Sequence, residues 1–182
     1  MELIKEIKQS KILRNVLMTL MGTVLLAISS KIKIPFYPVP MTMQTLVVLF
    51  LGLALGWKLG LATISLYLFE GIIGMPVFSG SPEKGIGIVY FTGPTMGYLV
   101  GFLFTVYFAG SLNFSKNLFI KFFQLLFSLS FIYIFGVLWL GNIIGWEKSL
   151  QLGVQPFLLA EVFKVLIILI SFSQIKKLNQ YL

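Results

Sequence analysis

Long apolar runs alternate along the chain with short clusters of charge, proline and glycine. Six runs stand out, at about 12–30, 41–56, 59–73, 94–110, 118–140 and 154–173. A helix that spans the hydrocarbon needs roughly 20 apolar residues, so the runs predict six transmembrane helices. The first ends at Lys31-Ile32-Lys33-Ile34-Pro35-Phe36-Tyr37-Pro38-Val39-Pro40, where closely spaced prolines forbid a continuing helix. Only Trp57-Lys58 parts the second run from the third, which predicts antiparallel neighbours joined by a tight turn. The longest break, Gly74 to Gly93, contains Pro76, Gly80, Pro82, Gly85 and Gly87, and loops of such length in compact chains are usually functional. Pro94 opens the fourth run, at a first-turn position that tolerates it. Asn113 to Lys116 form a polar connector, Gly141 to Gly153 read as a loop, and a tail begins at Lys176-Lys177. Residues 1–11 are a basic, weakly amphipathic lead with no small-residue cleavage site, expected to be retained.

Composition strengthens this pattern. Of 182 residues, 58% are hydrophobic and 11% charged, with mean hydropathy +0.96, well outside the soluble class. The expectation is an all-α, multi-pass protein of the plasma membrane, one transmembrane domain over 1–182, solvated by the lipid bilayer. A net charge of +8 would suggest nucleic acid only if the basic residues shared a solvated face, and here they sit at span ends. The two termini, the Trp57-Lys58 turn and the 113–121 connector carry nine Lys and Arg, against four (Lys31, Lys33, Lys84, Lys148) in the other loops. The positive-inside rule then places both termini in the cytoplasm. The proline-rich and glycine-rich loops share the outer face, where a ligand from outside arrives.

Histidine, cysteine and aspartate are absent. Disulfides, Cys/His metal sites, thiol nucleophiles and imidazole acid–base chemistry are thereby excluded, so neither a metal, a cofactor nor a catalytic residue is expected. An intramembrane enzyme would have little beyond Glu70 or Glu161 as a base. The phosphate-binding pattern G-x-x-x-x-G-K-[ST] does not occur, so any ATP-driven step needs a partner.

Glu70, Glu161 and Lys164 fall within predicted spans, where each ionisable group costs about 2.5–3.5 kcal/mol on insertion scales and therefore needs a reason. The i, i+3 spacing of Glu161 and Lys164 sets them on one helical face. They are either a self-neutralising pair holding helices in register or a polar ligand site. Glu70 either reaches interfacial water or joins that site. Thr42 and Gln44, at the entry of the second run, either bond a ligand or cap the first turn. Tyr90 and Tyr98 are interface anchors or site residues. Phe119, Phe123, Phe127, Phe131 and Phe135 form a broad stripe for lipid or packing. Thr19, Gly22, Thr23 and Ala27 give the first helix a small-residue face, for internal packing or for docking another membrane protein.

Taken in order, three stretches resemble the BioY family, the biotin-binding S components of energy-coupling factor transporters. They are Ile34-Pro35 with Pro38-Val39-Pro40-Met41-Thr42-Met43-Gln44-Thr45, then Gly71-Ile72-Ile73-Gly74-Met75-Pro76-Val77-Phe78, then Gly93-Pro94-Thr95-Met96-Gly97-Tyr98-Leu99-Val100-Gly101-Phe102. The resemblance runs from about Ser30 to Lys164 and includes Pro156 to Lys164, with Glu161 where the family usually has aspartate and Leu159-Ala160 where it has Pro-Gly. It implies an S-component bundle that captures biotin near the outer surface and releases it inward by toppling, beside a transmembrane coupling subunit and an ATPase pair. The implied contacts are Lys164 to the valerate carboxylate and Glu161 to ligand N–H groups or to that lysine. Gln44 and Thr42 would add polar contacts, and Phe78 and Tyr98 apolar walls. The runner-up is an S component or solitary facilitator for another small vitamin-like anion.

Overall fold

The computed structural model describes residues 2–34, 37–83 and 85–181. Pro35 of the first motif and Lys84 of the outer-loop charge count fall outside them, as do the side chains of Lys5 and Lys8.

The chain is mainly helical: α1 (Glu2–Lys31), α2 (Gln44–Ile72), α3 (Met96–Ser111), α4 (Leu118–Ile144), α5 (Trp146–Gly153), α6 (Leu158–Ile170) and α7 (Phe172–Tyr181). Two-residue strands β1 (Lys33–Ile34) and β2 (Met41–Thr42) pair antiparallel, Lys33 against Thr42, and so close the proline-rich loop on itself. Four helical stretches are long and apolar enough to cross a membrane: Ser10–Lys31, Gln44–Ile72, Leu118–Ile144 and Trp146–Ile170, with α3 a shorter apolar helix.

The second and third runs are continuous in sequence but not in direction. Gly56, at φ 73°, breaks α2, a backbone region where only glycine sits without strain. A straight helix would hold Gln44 and Tyr67 roughly 34 Å apart, yet Gln44 Nε2 donates to Tyr67 Oη at 2.7 Å. A Cβ on Gly60 would lie 3.6 Å from Gly52 Cα. The arms 44–55 and 57–72 are therefore an antiparallel hairpin, as the Trp57-Lys58 break predicts. Glycines also bring α3 close to α4: a Cβ at Gly101 would sit 2.5 Å from Ile132 Cα.

Several boundaries differ from the sequence reading. The 141–153 stretch is helical, because α4 runs on to Ile144 and α5 follows after a single break at Gly145 (φ 88°). Met41 belongs to β2, so the second helix starts at Gln44. Pro94 stands ahead of the Thr95 cap rather than in the first turn of α3. The sixth run opens on a 3-10 turn, Gln155–Phe157, and Ser171 separates α6 from a helical tail.

The small-residue face of α1 turns inward. A Cβ on Gly22 would lie 2.5 Å from Thr63 Cγ2, and Thr23 is buried. Ala27 packs on the core, and Thr19 is half-buried beside Leu59 and Leu66 of α2. These residues pack α1 on α2, while Leu13, Leu17, Met21, Val24 and Ile28 are exposed. On α4, Phe131 and Phe135 stack on Phe104 of α3 at 6.1 and 4.4 Å. Phe119, Phe123 and Phe127 are exposed, so the phenylalanine stripe serves packing at one end and surface at the other.

Candidate functional site: a polar cluster beside an aromatic cavity

Pro156 sits in the 3-10 turn Gln155–Phe157 that leads into α6, and further along that helix Glu161 and Lys164 share an inward face. Both are buried, and Lys164 Nζ donates to Glu161 Oε1 at 2.8 Å. Taking two charges out of water is unfavourable unless their remaining donors and acceptors are satisfied. Here they are supplied from β2 and the start of α2. Lys164 Nζ also donates to the Thr42 carbonyl at 2.7 Å and to Thr45 Oγ1 at 2.9 Å, which uses all three ammonium hydrogens. Thr45 Oγ1 in turn lies 3.0 and 2.9 Å from the two Glu161 carboxylate oxygens. Its hydroxyl accepts from the lysine and donates to the glutamate.

The other side of Glu161 faces a cavity with about 50 Å³ of space for water centres, several times what one water needs. Leu99, Phe102 and Ile132 give it apolar walls, and Tyr98, Tyr133 and Phe157 aromatic ones. Tyr98 Oη donates to the Gly153 carbonyl at 2.9 Å, and its ring meets Tyr133 edge-on, centroids 6.1 Å apart. Thr42, Gln44, Ser79, Tyr90 and Thr95 are the polar residues that also line it. Ser79 Oγ is buried without a partner, which is costly unless something supplies one. Tyr90 Oη donates to the Ser79 carbonyl at 2.8 Å. Burial pushes the Tyr90 hydroxyl above its ordinary range, so it stays a donor at physiological pH.

Five of the eight candidate ligand residues therefore line one cavity: Thr42, Gln44, Tyr90, Tyr98 and Glu161. Lys164 stands behind Glu161 with its hydrogens committed to protein acceptors. Phe78 packs against Tyr67, Tyr90 and Phe91 at 4.7–5.4 Å and braces the 74–83 segment instead of lining the wall. Glu70 is half-buried and not part of the cavity lining. Thr42 does touch the helix start, its Oγ1 accepting from Gln44 N at 3.4 Å, whereas the Gln44 side chain turns to Tyr67. Thr45, Ser79 and Tyr133 were not singled out from sequence. Thr45 had a signal, as the polar residue directly after Gln44 at the helix entry; Ser79 had none. Among the described residues no three His, Cys, Asp or Glu side chains group together.

A family model described as the BioY family matches residues 4–181. The chain belongs to the BioY family. This BioY chain is 36% identical over 140 residues to a probable biotin transporter BioY of Pyrococcus horikoshii, covering 77% of this chain and 82% of that one. It is 31% identical over 159 residues to the biotin transporter BioY of Thermotoga maritima, 86% and 92% covered. Its fold is similar to the crystal structure of the S component for biotin from an ECF-type ABC transporter, with TM-score 0.77, 24% identity and coverage of 94% and 93%. That likeness fixes the S-component fold for a chain whose cavity lies between α2, α3, α4 and α6.

Proposed function

We propose that this chain is the substrate-capturing membrane subunit of a biotin uptake system, working with a transmembrane coupling subunit and an ATPase pair. It is a transporter subunit of the plasma membrane, not an enzyme, and biotin is its cargo. The observation that carries the reading is the buried Glu161–Thr45–Lys164 cluster on one wall of an otherwise aromatic cavity. Biotin presents a ureido ring with two N–H donors, an apolar thiophane ring and a carboxylate tail. A carboxylate paired with an ammonium is a strong acceptor for the ureido N–H groups. Tyr98, Phe102, Tyr133 and Phe157 offer flat apolar surface to the fused rings, and Ser79 Oγ offers a donor to a remaining ligand oxygen.

Lys164 then acts through Glu161, orienting its carboxylate. For the lysine to take the valerate carboxylate itself, one of its three protein bonds must open. The α2 hairpin counts as two crossings, which with α1, α3, α4 and α6 makes six and returns both termini to the cytoplasm. The charge distribution supports this topology, with residues 1–182 forming one transmembrane domain.

Calorimetric titration of the detergent-purified chain tests the assignment. Saturable biotin binding that excess riboflavin or thiamine leaves unchanged is expected. Competition by either vitamin, with no heat from biotin, would move the chain to a different cargo.

A further inference from the structure

The segment that carries Ser79 has almost no secondary structure, yet the carbonyls of Pro76, Val77, Phe78, Ser79 and Ser81 all accept from side chains. Lys31 Nζ, at the last turn of α1, donates to the carbonyls of Pro76 (2.8 Å), Phe78 (2.9 Å) and Ser81 (3.1 Å). Ser30 Oγ and Tyr67 Oη both donate to the Val77 carbonyl, at 2.8 and 2.9 Å, and Tyr90 holds that of Ser79. The three carbonyls around Lys31 point at one spot. Ser81 N and Oγ also donate to the Phe78 carbonyl, at 3.2 and 2.7 Å, but without a cation the partial negative charges of the three carbonyls would repel one another. Ser79 lies between Phe78 and Ser81 in that turn; it is one of the residues lining the cavity, and its hydroxyl is buried without a protein partner.

We propose that Lys31 is a positioning residue for the ligand site. It gathers the carbonyls of Pro76, Phe78 and Ser81 so that Ser79 Oγ is held at the cavity wall as a fixed donor for the bound ligand. The sequence alone assigns Lys31 only to the charge count that orients the chain. The bonds give it a second role, one that makes the outer end of α1 part of the ligand site although no α1 residue lines the cavity. A lysine suits the task because its compact ammonium has three rotatable donors, whereas the planar fork of arginine matches three converging carbonyls poorly.

The proposal rests on the biotin reading, and two readouts on the full-length purified chain separate their failures. In calorimetry and biotin-release kinetics, Lys31→Met is expected to weaken binding about tenfold, mainly through faster release, with Lys31→Arg intermediate. Ser79→Ala is expected to produce a similar loss, and adding Lys31→Met to it is expected to cost less than about threefold more. An unchanged affinity in Lys31→Met overturns the proposal, and so does an equal loss from Lys31→Met with or without Ser79. A helix-end charge that merely stabilised α1 would give that second result. If the wild-type chain binds no biotin, the cargo assignment fails and hydrogen exchange of the 77–81 amides judges the positioning role alone. Lys31→Met should speed exchange there while leaving residues 20–28 of α1 unchanged, and equal exchange in both proteins refutes it.

Discussion

The cavity layer and the α3–α4 seam lie side by side yet are built on opposite principles. Around the cavity, short irregular pieces meet: β2, the 74–83 segment, the 3-10 turns Gly87–Thr92 and Gln155–Phe157, and the start of α6. What joins them is polar, from the Glu161–Thr45–Lys164 cluster to the chain of bonds running from Gln44 through Tyr67 to Val77. Along the seam, two regular helices touch through glycine and stacked phenylalanine, with Phe108 on Phe131 at 4.5 Å. Polar joints are directional and depend on every partner, so removing one strands another. Apolar seams lose only the contacts deleted. The chain concentrates its sensitivity to substitution where it binds and spreads its tolerance where it packs.

The sharpest break of that contrast is Glu161→Leu. It leaves Lys164 buried without its counter-charge, and loss of one partner of such a pair costs about 3–5 kcal/mol. Biotin binding should disappear and thermal unfolding in detergent should shift strongly downward. Combining it with Lys164→Met should restore much of the stability and none of the binding. Recovery of both would mean the pair serves packing alone.

Thr45→Val comes next. The shape is kept while the hydroxyl that bridges both charges is lost, and a hydrogen bond to a charged group contributes about 1.5–3 kcal/mol. Binding should fall more than unfolding temperature does, since Lys164 keeps two of its acceptors and the Glu161 carboxylate loses its orientation. Equal loss of both would make Thr45 a purely structural hub.

The contrast also explains what could be read from the sequence. Apolar runs and their breaks report the helices directly, including the hairpin at Gly56, because hydrocarbon forces backbone groups to pair locally. Glu161 and Lys164 were legible because charge inside a span demands a reason. The 141–153 helix was not, since its Trp146-Glu147-Lys148 start mixes apolar and charged residues as a surface loop does. Ser79, Tyr133 and the clamp by Lys31 depend on which segments return to face each other, information that no local pattern carries. Phe78 was placed at the cavity wall by its motif but braces the segment behind, because its neighbours Tyr67 and Tyr90 come from two other elements.

On the seam side the largest effect belongs to Gly101→Leu. A Cβ there already meets Ile132 Cα at 2.5 Å, and overpacking of this kind costs about 1–3 kcal/mol. Because Ile132 also lines the cavity, a parallel fall in biotin affinity is expected, which ties the two regions at their border.

Phe108→Leu probes the seam away from that border and should have the smallest effect. Phe108 stacks on Phe131 at 4.5 Å and meets Phe127 edge-on at 5.5 Å, and neither of these partners lines the cavity. Aromatic pairs contribute about 0.5–1.5 kcal/mol beyond their buried area, and leucine retains much of that area. A modest drop in unfolding temperature with biotin affinity unchanged is therefore the expected result. An affinity loss as large as that of Thr45→Val would mean that the seam transmits strain into the cavity. The two regions would then behave as one cooperative unit, and the division between a directional binding layer and a tolerant packing layer would have to be abandoned.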